Sequence, residues 1–319
     1  MSRPRVVLVG DSVLDSGIWI SHAHRDAAYF LRRHHGFDTD DYSTDGNRIV
    51  DVLPTTGAAR RAFVWHRRIH NLPPYRDVPL EELPPSDVTV LSLGGNDLLH
   101  CLRRVRLTAD AILRDLRERG VRERYERIVE LLARREGKLV LVVPYVPNQR
   151  SPVGWSLGGL VRKLMPELVP TWYYETAARH GATVVDLSLD FNPYDDQLYG
   201  CTSIEPSAAG SARIAALIAR AAGDDDAHID TPLPLPPPPS APPSSTPSYA
   251  AQLDEHLARF PERRPIPLAR RVWKLQRTLY FQALLMPVSV YSIVYLLLMT
   301  RYIDDHQKEQ GQAEGESRR

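Results

Sequence analysis

Apolar and polar positions alternate along the first two thirds of the chain in two distinct rhythms. Short runs rich in valine and leucine stand at 5–10, 88–93, 138–143 and 182–187, with a weaker run at 38–43. Their length and β-branched content predict buried strands. Between them lie amphipathic stretches at about 23–35, 105–117, 120–136, 156–180 and 207–222, which predict helices. Strand–helix alternation of this kind predicts a parallel sheet covered by helices on both faces. The first strand, starting at residue 5, is the first apolar run of the chain and is too short for a secretory signal core, so the expectation is a domain occupying residues 1–222 with no leader.

Beyond residue 222 the pattern changes. Nine prolines fall between Pro232 and Pro247. Proline lacks the backbone donor that helices and sheets require, so 223–249 reads as an extended, solvated linker. Residues 250–277 read as a basic helical segment, with seven Arg or Lys against Glu262 from Arg259 to Arg277. Residues 278–300 then carry no charged side chain. As a helix they would reach about 34 Å, enough for a hydrocarbon core of roughly 30 Å. The expectation is a C-terminal transmembrane anchor at 278–300 followed by a polar tail, 301–319. The excess of basic residues before it predicts that the globular domain faces the cytoplasm.

Composition narrows the function. The 319 residues hold 40 Lys and Arg against 39 Asp and Glu, a net charge of +1. That balance argues against nucleic acid as a partner bound through global charge. Two cysteines, Cys101 and Cys201, exclude a disulfide scaffold and a cysteine-built zinc site. No Gly-x-Gly-x-x-Gly or Gly-Lys-Ser/Thr loop supports a nucleotide-binding reading, and no cofactor is expected.

Open α/β sheets place their chemistry at the carboxyl ends of strands. The first strand ends in Gly10-Asp11-Ser12, with Asp15 close behind. Ser12 there is a candidate nucleophile, or a simple helix cap. The weak second strand leads to Asp45-Gly46-Asn47, where Gly46 offers a backbone N–H and Asn47 a cap for a short helix. The strand at 88–93 runs into Gly94-Gly95-Asn96-Asp97, where Asn96 offers an amide donor. A hydroxyl, a glycine N–H and an amide on one rim are the parts needed for acyl transfer.

These blocks, in this order, resemble the GDSL-type or SGNH hydrolase superfamily. The segments Val143-Pro144-Tyr145-Val146-Pro147 and Ile204-Glu205-Pro206-Ser207-Ala208-Ala209-Gly210 look like the same family, and the resemblance covers about residues 4–222. It implies a three-layer α/β/α sandwich, flavodoxin-like, with five parallel strands in the order 2-1-3-4-5. It implies Ser12 as nucleophile, with Gly46 and Asn96 joining the serine N–H in the oxyanion hole.

The last block departs from the family. Where the family has Asp-x-x-His, this chain has Thr202-Ser203-Ile204-Glu205. Glu205 is the candidate replacement base. Its ordinary pKa lies about two units below that of imidazole, so it needs burial or like charges to reach a useful range. Asp11, Asp15 and Asp97 are possible neighbours of that kind. The same four acids could alternatively gather a divalent cation. His22, His24 and His100 are other possible bases near the rim, whereas His34, His35, His66 and His70 fall on predicted helices. The resulting expectation is a membrane-anchored serine ester hydrolase acting on a small ester or acyl substrate. The alternative is an inactive relative serving as a binding or scaffold module at a membrane.

Overall fold

The computed structural model describes residues 3–17, 20, 25–52, 78–102, 108–150, 152–200, 204–224 and 247–260. Contacts divide the chain into two units, Met1–Arg264 and Pro265–Arg319; the second lies outside the described residues.

Five strands form the sheet: β1 (Arg5–Gly10), β2 (Asp38–Asp41), β3 (Val88–Ser92), β4 (Lys138–Val143) and β5 (Thr183–Asp186). All pairings are parallel, in the order β2-β1-β3-β4-β5. β1 is central, with Val6 opposite both Thr39 and Val88 and Gly10 opposite Ser92. Chain reversal between β1 and β3 makes the gap beside β1 a switch point, where ligands of such sheets bind.

The period-two alternation of the strands divides the core into two clusters. Val7, Val9, Leu91, Leu93, Leu139 and Leu141 face one side; Val6, Leu8, Val88, Val90, Val140 and Val142 face the other. Burial on both faces explains why these strands read as unbroken apolar runs. On the second face lie α1 (Ala27–His34) and a long helix, Ala208–Ala222. On the first face lie α2 (Ile49–Val52), α3 (Gly95–Leu102), α4 (Ala109–Glu118), α5 (Val121–Ala133) and α6 (Pro152–Val169). The α6 helix runs through a π-helical turn, Pro170–Tyr174, into α7 (Glu175–His180). Pro170 and the internal Pro166 lack the N–H that regular i to i−4 bonding requires, which accounts for the irregular turn. We call Ala208–Ala222 α8; Ser207 caps it by accepting from the Gly210 N–H at 3.1 Å.

The expected strands and helices of the first 222 residues coincide with these elements to within a few residues at most ends. The largest differences are α3, which stands where a turn was expected, and the split of 156–180 at the π turn. A further helix, α9 (Tyr249–Ala258), packs on the folded unit. It buries Leu253 and Leu257 in the first-face cluster, and the Tyr249 hydroxyl lies 2.5 Å from Ser188 Oγ. Residues 250–258 were expected at the start of a basic segment beyond the linker. Their i, i+4 leucines give this stretch an apolar stripe, which the charge count alone obscured. Among the described residues no helix is long and apolar enough to cross a membrane; the stretch 278–300 lies outside them, as does most of the proline-rich linker.

Leu253 is 1% exposed. Leu253→Ala should cost about 2–4 kcal/mol of stability, visible as a lower melting temperature of the full chain. An unchanged melting temperature would show that α9 does not share the core.

Candidate active site

Gly10 sets the geometry of the rim. A Cβ built on it would collide with the Ser92 carbonyl oxygen, so only glycine lets β1 run this close to β3 before the turn. The Asp11 N–H then donates to that same carbonyl at 3.0 Å, and the N–H groups of Leu14 and Asp15 both donate to the Asp11 carbonyl at 3.1 Å. Ser12 therefore sits in a tight helical turn at the carboxyl end of β1, 6% exposed.

Hydrogen bonds stitch the other two loops to this turn. The Thr44 N–H and the Asn47 side-chain amide both donate to the Gly10 carbonyl, at 2.9 and 3.1 Å. Gly46 follows with φ +79°, a left-handed conformation that suits glycine. The Asn96 amide donates to the Asn47 carbonyl at 3.1 Å. One amide hydrogen of Asn96 is thus spent on orientation, which leaves its second as the one an oxyanion would take. Behind Asn96, the Tyr173 hydroxyl from the π turn donates to the Leu93 carbonyl at 2.6 Å. Irregular helix here delivers a buried tyrosine that fastens the chain just before α3, whose first turn carries Asn96.

The three aspartates near the rim act as fasteners. Asp11 accepts from the Val13 N–H at 3.2 Å and the Ser92 hydroxyl at 3.1 Å. Asp15 accepts from the Asp45 N–H at 3.2 Å, holding the turn that contains Gly46. Asp97 accepts from the Ile49 N–H at 2.8 Å and so caps α2. Asn47 was expected in that capping role; its amide instead reaches back to β1.

Glu205 closes the site. The Ser12 hydroxyl lies close enough to its carboxyl group to favour the ionised form. The residue keeps some surface, but the carboxyl is enclosed, and that burial pushes its pKa from the ordinary range up to about 8. The Ser12 hydroxyl pulls the other way, while the charges of Asp11 and Asp15 add to the rise. Burial likewise raises Asp11 to about 7. The backbone around Glu205 is tightly held: its carbonyl accepts from the Gly200 N–H at 2.7 Å, and Pro206 pairs with Tyr199 in an antiparallel bridge.

The structure thus brings Ser12 to Glu205 and links the Gly46 and Asn96 loops to the turn that carries Ser12. It does not gather Asp11, Asp15, Asp97 and Glu205 as a cation cluster. Among the described residues, the acids whose oxygens lie within 4.8 Å of one another are Asp15, Asp26 and Asp41. In that group burial, with Asp41 and Asp15 as like charges, raises Asp26 to about 7. Of the histidines, His100 contacts the Arg48 guanidinium through Nδ1 at 3.3 Å, and His35 pairs with Asp224 at 3.8 Å. His22, His24, His66 and His70 lie outside the described residues, as does Thr202. Tyr145 and Tyr173 were not among the predicted site residues. Tyr145 was visible only as part of the Val-Pro-Tyr-Val-Pro segment, and Tyr173 gave no local signal, because its role depends on the π turn.

Comparison with known proteins agrees with the motif reading. The model of the GDSL-like lipase/acylhydrolase family matches residues 8–213. No curated protein matches the chain. Among solved structures, phospholipase A1 from Streptomyces albidoflavus NA297 is similar at 14% identity, covering 68% of this chain and 98% of its own, with a TM-score of 0.47. An extracellular lipase from Streptomyces rimosus is similar at 13% identity, covering 68% and 99%, with a TM-score of 0.43. A lipase from a goat rumen metagenome shows 16% identity over 69% and 97%, with a TM-score of 0.44.

The raised carboxyls fix a sign for stability. Asp11, Asp26 and Glu205 hold protons in the folded chain that the unfolded chain has released, between about pH 4 and pH 8. Their contribution is fully present at low pH and is lost as pH rises through 7 to 8. The melting temperature should therefore fall from pH 5.5 to pH 8.5, and less so in Glu205→Gln. A wild-type profile that is flat, or rises, would contradict these shifts.

Proposed function

The chain belongs to the GDSL-like lipase/acylhydrolase family, and from that premise we propose that it is a serine ester hydrolase whose general base is Glu205 rather than histidine. The observation that carries this reading is the juxtaposition of the Ser12 hydroxyl and a buried carboxyl whose pKa is raised to about 8. A carboxylate of ordinary pKa would be a poor acceptor for a serine proton; one near 8 is matched to the task.

In the proposed cycle the Ser12 oxygen attacks the ester carbonyl carbon while its proton passes to Glu205. The carbonyl oxygen becomes an oxyanion, held by the N–H groups of Ser12 and Gly46 and by the Asn96 amide. Collapse breaks the bond to the alcohol oxygen, which takes the proton back from Glu205 and leaves. Glu205 next removes a proton from water as that water attacks the acyl-serine. The second tetrahedral intermediate then releases the acid and returns the proton to Ser12. Both nucleophilic attacks start from ionised Glu205, so activity should rise with pH through about 8.

We further propose that residues 278–300 hold this enzyme at a membrane, with the basic residues 259–277 on the cytoplasmic side. The support is the uncharged 23-residue run and the charge asymmetry beside it. Alkaline carbonate should leave the full chain in the membrane fraction; release into the supernatant would overturn the anchor.

The catalytic reading is tested by fluorophosphonate labelling and by hydrolysis of a short p-nitrophenyl ester. The wild type should label and Ser12→Ala should not. Asn96→Ala should lose about 100-fold or more in kcat. The labelling rate should fall about tenfold per pH unit below 8. A folded wild type that neither labels nor hydrolyses would instead assign this pocket to binding.

A further inference from the structure

The carbonyl groups on both sides of the Glu205 α-carbon are pinned, and one of the pins is a tyrosine hydroxyl. Tyr145, two residues past β4, donates to the Ile204 carbonyl at 2.7 Å. From the other side, the Gly200 N–H donates to the Glu205 carbonyl. With both flanking peptides fixed, only side-chain torsions remain to place the Glu205 carboxyl against Ser12.

Tyr145 is itself held. It is 7% exposed, its ring is stacked on Phe191 at 4.6 Å and 5°, and Tyr199 meets it edge-on at 5.6 Å and 81°. Tyr199 in turn donates its hydroxyl to the Val146 carbonyl at 2.7 Å. Beyond the stack, His256 of α9 reaches the Phe191 carbonyl through Nε2 at 3.0 Å. A carbonyl only accepts, so Nε2 carries the proton. A continuous set of contacts thus runs from α9 through Phe191 and Tyr145 to the peptide that carries Glu205. Burial keeps the Tyr145 phenol protonated well beyond its ordinary range, so its donor persists at every pH where Glu205 titrates.

We propose that Tyr145 is a positioning residue for Glu205: its hydroxyl, set by the stack on Phe191, holds the Ile204–Glu205 peptide so that the carboxyl stays enclosed and aligned on Ser12. This proposal rests on the reading of Glu205 as the base. Tyr145 touches neither the hydroxyl nor the carboxyl, so it acts through geometry. Misplacement of a catalytic group by a fraction of an ångström to 1 Å costs about tenfold to a hundredfold. Loss of the enclosure also returns a carboxyl toward its ordinary range.

The test is the rate of fluorophosphonate labelling of Ser12 in the full chain from pH 6 to pH 10, with melting temperatures alongside. Tyr145→Phe keeps the stack and removes the hydroxyl. It should label about tenfold more slowly or worse at high pH, with its inflection moved down from about 8. Phe191→Leu should move both quantities in the same direction, and serves if Tyr145→Phe does not fold. Val129→Ala, in the core away from the rim, should lower the melting temperature while keeping the wild-type rate and inflection. Tyr145→Phe with wild-type rate and inflection, while Glu205→Gln is silent, would overturn the positioning role alone. Glu205→Gln labelling like wild type would overturn the base reading and this proposal with it.

Discussion

A serine hydroxyl set against an enclosed carboxyl is the constraint on which the rest of this molecule turns. The carboxyl must be dry enough to hold a proton near neutrality, yet its side chain must reach the turn after β1. Both demands are met by distributing the work over distant parts of the chain. β1 and β3 approach closely through Gly10 and present Ser12 at the rim. The segment before α8 presents Glu205, fixed by the Ser207 cap, the Tyr199–Pro206 bridge and the Gly200 N–H. Neither partner has local freedom, so the contact is a property of the sheet and helix packing.

Enclosing Glu205 works against stability. Asp11 and Asp26 are raised for the same primary reason, burial, and each keeps compensating donors: Val13 and Ser92 for Asp11, the Tyr29 N–H for Asp26. Active sites commonly retain such unfavourable groups where the fold elsewhere supplies the surplus. Here that surplus comes from two apolar clusters on opposite faces of the sheet, with α9 adding Leu253 and Leu257 to one of them. The far C-terminal part of the folded unit therefore contributes to the same balance that keeps a proton on Glu205.

The fold was legible because the strands are buried on both faces and so stand out as continuous apolar runs. β2 was the weakest expectation, since Asp38-Thr39-Asp40-Asp41 carries three acids on an edge strand. Of the site, Ser12, Gly46, Asn96 and Glu205 were readable from motif order at strand ends. Their geometry was not. Asp11, Asp15 and Asp97 looked like neighbours of Glu205; Asp11 and Asp15 do raise its pKa, and all three also fasten the structure, at β3, the Gly46 turn and α2. Asn47 looked like a helix cap and bonds the Gly10 carbonyl. Tyr145 and Tyr173 could not be assigned from sequence, because each reaches a carbonyl far along the chain, at Ile204 and Leu93. Such contacts leave no periodic or local trace.

If Glu205 is the base, the pH dependence of Ser12 reactivity belongs to whichever residue occupies position 205. The most direct measurement is the pH profile of Ser12 labelling by a fluorophosphonate in the wild type and in Glu205→His. The account predicts a wild-type inflection near 8 and, in Glu205→His, retained labelling with the inflection moved down toward the imidazole range of about 6.5. An inflection that stays near 8 after the substitution would assign the proton to another group and contradict the account.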